Sequence, residues 1–357
     1  MIFNVIENFV FSNTVFAVSA FLLSWVAKVA AEKDILKISP SSLERVFAGA
    51  ILAPPVVSLW LLLAALLPQL WVPDEALAAA HNFPPHDLHL FGDFTSRFEP
   101  YLAYATAVLF FAAIAMAIWT SLRSYLRFGR MVDCLEIQTT LPKPGQLRLI
   151  EEFSCSQSLN LRVISTSRPF TFVWGVWKTK LIISTGLLNV LSGPQLLGVL
   201  EHEAAHHVRK DNCFKFILSF ASCLSMAFPL TRLIAHWHAQ QIEFVCDEIA
   251  AVRTEAPLDI ASALVTLSRT NTNAFSNMPV AISFVKGKSK LVERRVMRLL
   301  QFDHVQVSKV IQQRARVLPR YALHGSAAVF SLTLISFLLL RPLAVHQSAE
   351  FIFQMIK

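Results

Sequence analysis

Charge is scarce in this chain. Of its 357 residues only 16% are Asp, Glu, Lys or Arg, against 54% apolar, and that balance excludes an ordinary soluble protein. Cysteine is sparse as well. Cys134, Cys155, Cys213, Cys223 and Cys246 stand at no metal-binding spacing; an odd number in a portion expected to face a reducing compartment argues for free thiols, buried as small apolar groups. There is no internal repeat and no long low-complexity segment. The first apolar run lacks the basic leader and small-residue cleavage site of a signal peptide and leads into Trp25, Val26 and Lys28, so it is read as an anchor. The net charge of +8 is not gathered into one stripe, which argues against direct nucleic-acid binding.

Four uncharged runs are long enough to cross a bilayer: Asn8 to Ala27, Val46 to Pro73, Pro100 to Leu122 and Tyr321 to Leu340. Pro54-Pro55 is expected to bend or break the second. Lys28, Lys33, Lys37 and Arg45 follow the first run, and Arg123, Arg127 and Arg130 follow the third, so both connections are expected to be cytoplasmic. The connection from Val72 to Glu99 carries Asp74, Glu75, Asp87, Asp93 and Glu99 against a single Arg97 and belongs outside. The expected layout is therefore multi-pass in a bacterial inner membrane. Residues 1–130 form three transmembrane helices with a basic cytoplasmic loop and an acidic external loop, and 131–302 a cytoplasmic domain. Residues 303–320 are a linker, 321–340 a fourth transmembrane helix and 341–357 a short external tail.

What is present is a pentapeptide. His202-Glu203-Ala204-Ala205-His206 reads H-E-x-x-H within an apolar-periodic stretch, after a helix start signal at Ser192-Gly193-Pro194. Residues four apart share a helix face, so the two imidazoles can converge on one Zn2+ while Glu203, about 100° round, reaches a metal-bound water. The chemistry implied is zinc-assisted peptide hydrolysis, with Glu203 as the base. A catalytic zinc needs a third protein ligand and an open position. Glu243 is the candidate, and Asp247, one turn on, would accept the free N–H of a ligand histidine. The competing reading makes Glu243 and Asp247 a solvated helix face.

Ahead of the motif, Leu161 to Ser167, Phe170 to Val176 and Lys178 to Ser184 read as short strands. They are either a purely structural sheet or an edge along which an extended substrate could pair. The sixteen uncharged residues from Phe216 to Thr231 are short for a span. A crossing there would also separate Glu243 from the histidines, so the run is read as buried, interfacial or re-entrant. A polar loop is expected from Asn271 to Pro279 and a basic amphipathic helix from Lys288 to Leu300. His81, His86 and His89 in the outer loop could bind a metal, although such loops are usually just solvated.

H-E-x-x-H followed by E-x-x-x-D resembles the gluzincin metallopeptidases. With the membrane layout, the chain resembles the BlaR/MecR family of antirepressor membrane metallopeptidases. The resemblance covers about Pro169 to Arg298 and includes Trp174-Gly175, Leu181-Ile182-Ile183, Asp211-Asn212 and Ala281-Ile282-Ser283-Phe284. It implies a multi-pass α-helical membrane protein with a cytoplasmic α+β zinc metallopeptidase domain. It also implies cleavage of itself or a cytoplasmic repressor when an external signal arrives, with Ser283-Phe284 as the place of self-cleavage. A plain alternative is that Ile282, Phe284 and Val285 pack as an apolar anchor. The best-known relatives carry a penicillin-binding sensor domain after the last span, where this chain has Arg341 to Lys357. A short member is therefore expected, its external sensor or ligand unknown. Two other readings stand beside this one: a housekeeping membrane protease of the HtpX or CAAX-processing type, which tends to place two spans between motif and Glu ligand, and a catalytically silent membrane receptor or scaffold.

Overall fold

Two long apolar helices, α1 (Ile2–Glu32) and α2 (Pro40–Trp71), open the chain. The computed structural model describes residues 2–71, 160–176, 179–225, 229–270, 282–283 and 289–302, with scattered positions between 108 and 153. The expected acidic loop, linker, fourth span and tail lie outside the described residues, as does Phe284. Windows long and apolar enough to cross a membrane run from Ser12 to Glu32 and from Pro40 to Trp60. Helix α1 extends beyond the expected span at both ends, and α2 begins six residues before its own. Helix α2 begins at Pro40, where a missing N–H costs nothing because the first helical N–H has no partner anyway.

The expected break at Pro54-Pro55 does not occur, and α2 runs unbroken to Trp71. Each proline removes a backbone hydrogen bond, but both rings are buried against neighbouring helices, which hold the segment by packing. On the outer surface Leu22, Leu23, Trp25, Val26, Val56 and Leu59 remain exposed, an apolar belt that water would not tolerate and a bilayer would cover. The described helical residues Val108, Phe111, Met116, Trp119 and Leu122 in the third expected span are exposed in the same way.

The three expected strands form, each slightly shorter: β1 (Asn160–Ile164), β2 (Thr171–Trp174) and β3 (Lys180–Ser184). A fourth, β4 (Ile282–Ser283), completes a sheet of order β1-β3-β2-β4. Strands β1 and β3 are parallel, while β2 runs antiparallel to both β3 and β4. Covered on both faces, β3 is a continuous apolar run in which Leu181, Ile182 and Ile183 are fully buried. Ser184 ends it and caps α3 (Thr185–Val190) by accepting the Leu187 N–H at 3.1 Å.

The motif helix α4 (Gly193–Arg209) follows, its first turn fixed by the Ser192 N–H donating to Gln195 Oε1 at 3.0 Å. It stops at Lys210, whose left-handed φ of 55° turns the chain at once into α5 (Asp211–Leu224). Helices α6 (Thr231–Thr254), α7 (Pro257–Arg269) and α8 (Ser289–Leu300) complete the domain. Its core joins Leu181 and Ile183 of β3 to Leu196, Val199 and Leu200 of α4, Ile260 and Leu264 of α7, and Val292 and Leu299 of α8. Gly198 lets α4 approach α7 closely: a Cβ there would lie 2.7 Å from Ile260 Cγ1.

A second core binds this domain to the N-terminal pair. Leu43, Phe47 and Ile51 of α2 pack with Leu218 and Ala221 of α5 and Ile234 of α6. Trp237 stacks on Phe21 with ring centroids 5.8 Å apart. Just before α5 begins, Arg209 meets Glu44, four residues into α2; at the end of α5 Asn13 of α1 donates to Leu224 O at 2.8 Å. Helix α5 thus runs lengthwise along the pair for about 20 Å, at 1.5 Å per residue. The apolar run beginning at Phe216 reverses after Leu224, and α6 returns, bringing Glu243 back beside the motif.

Gly186 has a steric requirement that yields a prediction. A Cβ there would lie 2.4 Å from the Ser167 carbonyl oxygen, a backbone atom that cannot swing away. Gly186→Ala should lower stability by about 1–3 kcal/mol through overpacking. Gly193→Ala, whose Cβ meets nothing within 4 Å, should change it by less than about 1 kcal/mol. Denaturant melts of equal midpoint for the two variants would contradict this packing.

Candidate metal centre

Helix α4 carries His202, Glu203 and His206 on its buried side, none more than 1% exposed. The two histidine Nε2 atoms lie 3.2 Å apart. From α6, Glu243 brings Oε2 to 3.5 Å from His202 Nε2 and Oε1 to 3.8 Å from His206 Nε2. A tetrahedral zinc with ligands at about 2.0–2.1 Å separates its donor atoms by roughly 3.3–3.5 Å, so these three side chains fit such an ion with little movement. The donor set, two imidazoles and one carboxylate, is that of catalytic zinc.

Each histidine is oriented from behind. Asp247 Oδ1 sits 2.9 Å from His202 Nδ1, and Asp211 Oδ2 sits 2.8 Å from His206 Nδ1. A carboxylate at Nδ1 keeps the proton there and leaves Nε2 as the electron-pair donor. Sequence reasoning placed Asp247 in this part. Asp211 entered it only as a feature resembling a family, and the left-handed turn at Lys210 is what swings it back against His206. Glu203 is fully buried, and neither of its carboxylate oxygens has a hydrogen-bond partner among the described residues. Two bare carboxylate oxygens in a dry site are costly unless water or a ligand meets them.

Arg295 of α8 escaped the sequence reading. Fully buried, it donates through Nε and Nη2 to the two Asp247 oxygens at 2.7 Å each, and its Nη1 lies 3.2 Å from Glu243 Oε2. The signal was there: Val292, Arg295, Val296 and Leu299 recur at i, i+3, i+4 and i+7, so Arg295 stands in the middle of an apolar stripe. A basic residue in that position is held by buried acids or the helix does not pack.

Electrostatics follow from this crowding. Burial alone would raise Glu243 and Asp247, but the His202 hydrogen bond and the Arg295 charge outweigh it for Glu243, and Arg295 for Asp247, leaving each at about 2. Burial lifts the unpartnered Glu203 to about 8, with Glu243 adding to the rise. Burial also disfavours the charged form of both histidines. Hydrogen bonds to Asp247 and Glu243 overcome it at His202, which rises to about 9, whereas His206 falls to about 4. One proton therefore belongs between the two Nε2 atoms, on the His202 side.

A second cluster, His206, Asp211 and Cys246, lies close by. Its histidine nitrogen already faces Asp211, and burial raises the Cys246 thiol well above its usual range, so the thiol donates to Asp211 Oδ2 at 3.7 Å as a neutral group. His207 pairs with Thr179 and His236 with Gln240. Neither they nor His238 join a ligand group among the described residues.

The sheet edge is tied to this centre. Asn212 Nδ2 donates to the carbonyls of Val173 and Gly175 at 2.9 and 3.0 Å, clamping the end of β2 to the start of α5. On the outer side of β2, Ser283 pairs with Phe172 and Ile282 with Val173.

Two outcomes are expected. Arg295→Leu leaves two buried carboxylates without their cation and should cost about 3–5 kcal/mol in denaturant unfolding; a loss below 1 kcal/mol would contradict the ion-pair geometry. In chelator-treated protein, a metal entering between the histidines displaces their shared proton. Zinc uptake at pH 7 should release at least one proton, and affinity should rise roughly tenfold per pH unit towards about 9. Calorimetry in buffers of different ionisation enthalpy checks this, and uptake without proton release would count against it.

Comparison with known proteins agrees with the site. Residues 97–299, more than half of the chain, match the family described as BlaR1 peptidase M56. No curated protein matches the chain. The matched stretch contains the motif helix, Glu243, Asp247 and Arg295. By that match the chain belongs to the BlaR1 peptidase M56 family and is a membrane-associated, metallopeptidase-like protein.

Proposed function

We propose that the protein is a membrane-anchored zinc endopeptidase acting in signal transduction, cleaving itself, a cytoplasmic repressor or both. The observation that carries this is the convergence of His202, His206 and Glu243 on one point, beside a buried Glu203 with both oxygens unpartnered. Zinc, when bound, would polarise the scissile carbonyl and acidify the attacking water. Glu203, ionised once the charge of a bound zinc offsets its burial, would take a proton from the attacking water as the water oxygen bonds to the carbonyl carbon. It then hands the proton to the leaving amine as the C–N bond breaks. Asp247 and Asp211 keep the ligand imidazoles in the tautomer that donates from Nε2.

An extended substrate would add itself to a sheet edge and present its carbonyl to the centre. The chain's own Ile282-Ser283 is paired to β2 on the sheet that Asn212 ties to the site. That pairing supports the reading in which Ser283-Phe284 is cut by the domain itself. A cytoplasmic domain is supported by the position of Lys28, Lys33 and Lys37 at the end of the helix pair where Glu44 meets Arg209. The same end would face the cytoplasmic repressor, with the signal arriving through the 72–99 loop, the bilayer or a partner. The single short helical hairpin between motif and Glu243 sets the chain apart from the HtpX and CAAX-processing type, and the intact Glu203 from a silent receptor.

Purified wild-type protein should hold one zinc per chain. Glu243→Ala should lose most of it, whereas Glu203→Gln should keep it and lose hydrolysis by at least about 10²-fold, the scale of losing a general base. In induced cells a C-terminal fragment beginning at Phe284 is expected for wild type and absent for Glu203→Gln. Its persistence in Glu203→Gln would assign the cut to another protease.

A further inference from the structure

The motif helix is attached to the N-terminal helix pair by more than packing. Glu44 of α2 stands on its buried stripe with Phe47, Ala48 and Ile51, at i, i+3, i+4 and i+7. A carboxylate among those apolar residues is expensive unless a cation meets it. Arg209, the last residue of α4, supplies one: its Nη2 donates to Glu44 Oε1 at 2.5 Å. Arg209 Nε donates in turn to Asp211, at 3.2 Å to Oδ1 and 3.1 Å to Oδ2. Asp211 Oδ2 is the atom that holds His206 Nδ1 at 2.8 Å. An unbroken line of charge-assisted hydrogen bonds therefore runs from a candidate membrane helix to a candidate metal ligand, through atoms that are all largely out of water.

We infer that Glu44 and Arg209 are positioning residues of the metal centre, acting on His206 through Asp211, and that displacement of α2 is thereby felt at the zinc. The inference rests on the zinc peptidase reading and adds the route by which the membrane segment acts on it. Asp211 accepts from His206 and Arg209, which compete for its oxygens, and more distantly from the Cys246 thiol. When Arg209 is fixed by Glu44, the carboxylate is fixed with it and the imidazole keeps one orientation. When Glu44 moves away with α2, Arg209 is left with Asp211 alone and the orientation is no longer pinned from outside the domain. A rigid helix is suited to carry such a displacement, because α2 also packs on α5 and α6 through Phe47 and Ile51. Sliding of α2 must then move the same hairpin that supplies Asp211 and Glu243.

The test uses the full chain in lipid nanodiscs, comparing wild type, Glu44→Gln, Glu44→Asp, Arg209→Met and the double variant Glu44→Gln/Arg209→Met. Zinc affinity is read by chelator competition, the ligand field by the visible spectrum of the cobalt-substituted protein, and folding by the melting of chelator-treated protein. Glu44→Gln should weaken zinc binding about tenfold, the lower end of effects from residues behind a metal ligand, and shift the cobalt bands, while chelator-treated protein melts as wild type does. Glu44→Asp should recover part of the affinity. The double variant should be no weaker than Arg209→Met alone, because the line is already cut. Wild-type affinity and spectrum in Glu44→Gln, or strictly additive losses in the double variant, would overturn the coupling. So would a Glu44→Gln protein whose only change is a lower melting point. Failure of the peptidase reading has a different signature: wild type itself would bind no stoichiometric zinc.

Discussion

Two imidazole nitrogens held 3.2 Å apart in a dry interior are the constraint on which this structure turns. Free imidazoles would rotate away, and each Nε2 must instead be kept turned towards one point, where a metal can displace the proton between them. The chain achieves this with a carboxylate behind each ring, and each carboxylate needs its own cation because burial without one is prohibitive. Arg295 answers Asp247 and Glu243; Arg209 answers Asp211 and Glu44. Much of the architecture around the motif exists to bring these four acids and two arginines together from α2, α4, α5, α6 and α8.

This requirement explains otherwise odd features. Lys210 adopts a left-handed conformation that glycine would occupy more easily, yet the sharp corner it makes sets Asp211 against His206. Helix α8 is basic on its surface, where Arg294 and Arg298 pair with Glu32 and Glu248, and still buries Arg295 completely. The segment carrying β4 and α8 is therefore bound to the site twice, by the sheet edge at Phe172 and Val173 and by the Arg295 fork. A cut between them would separate the edge strand from the arginine that steadies Glu243.

Helices α1 and α2 are packed into the same unit as the candidate metal centre. Asn13 reaches the end of α5, Trp237 packs between Phe21 and Phe47, and Glu44 meets Arg209. Phe216, Ile217 and Phe220 on α5 are exposed, as are Leu22, Leu23 and Trp25 on α1. Such exposure suits a hairpin lying against the bilayer beside the helices it packs on.

Local pattern was enough for much of this. H-E-x-x-H pointed to three candidate site residues because helix periodicity alone puts positions 202 and 206 on one face. Glu243 and Asp247 were legible for the same reason, being one turn apart and close to the motif. The strands showed as β-branched runs, and the two long apolar helices as uncharged length. The chain does not break at Pro54-Pro55, because both prolines are buried and the helix stays packed on its neighbours. The sequence by itself thus determined which chemistry is available and on which local elements it stands. Only the tertiary structure brought Arg295 against Asp247 and joined Glu44, Arg209 and Asp211 behind His206. Their partners are as many as 165 residues away along the chain, and a buried ion pair is specified by which elements meet, not by spacing along any one of them.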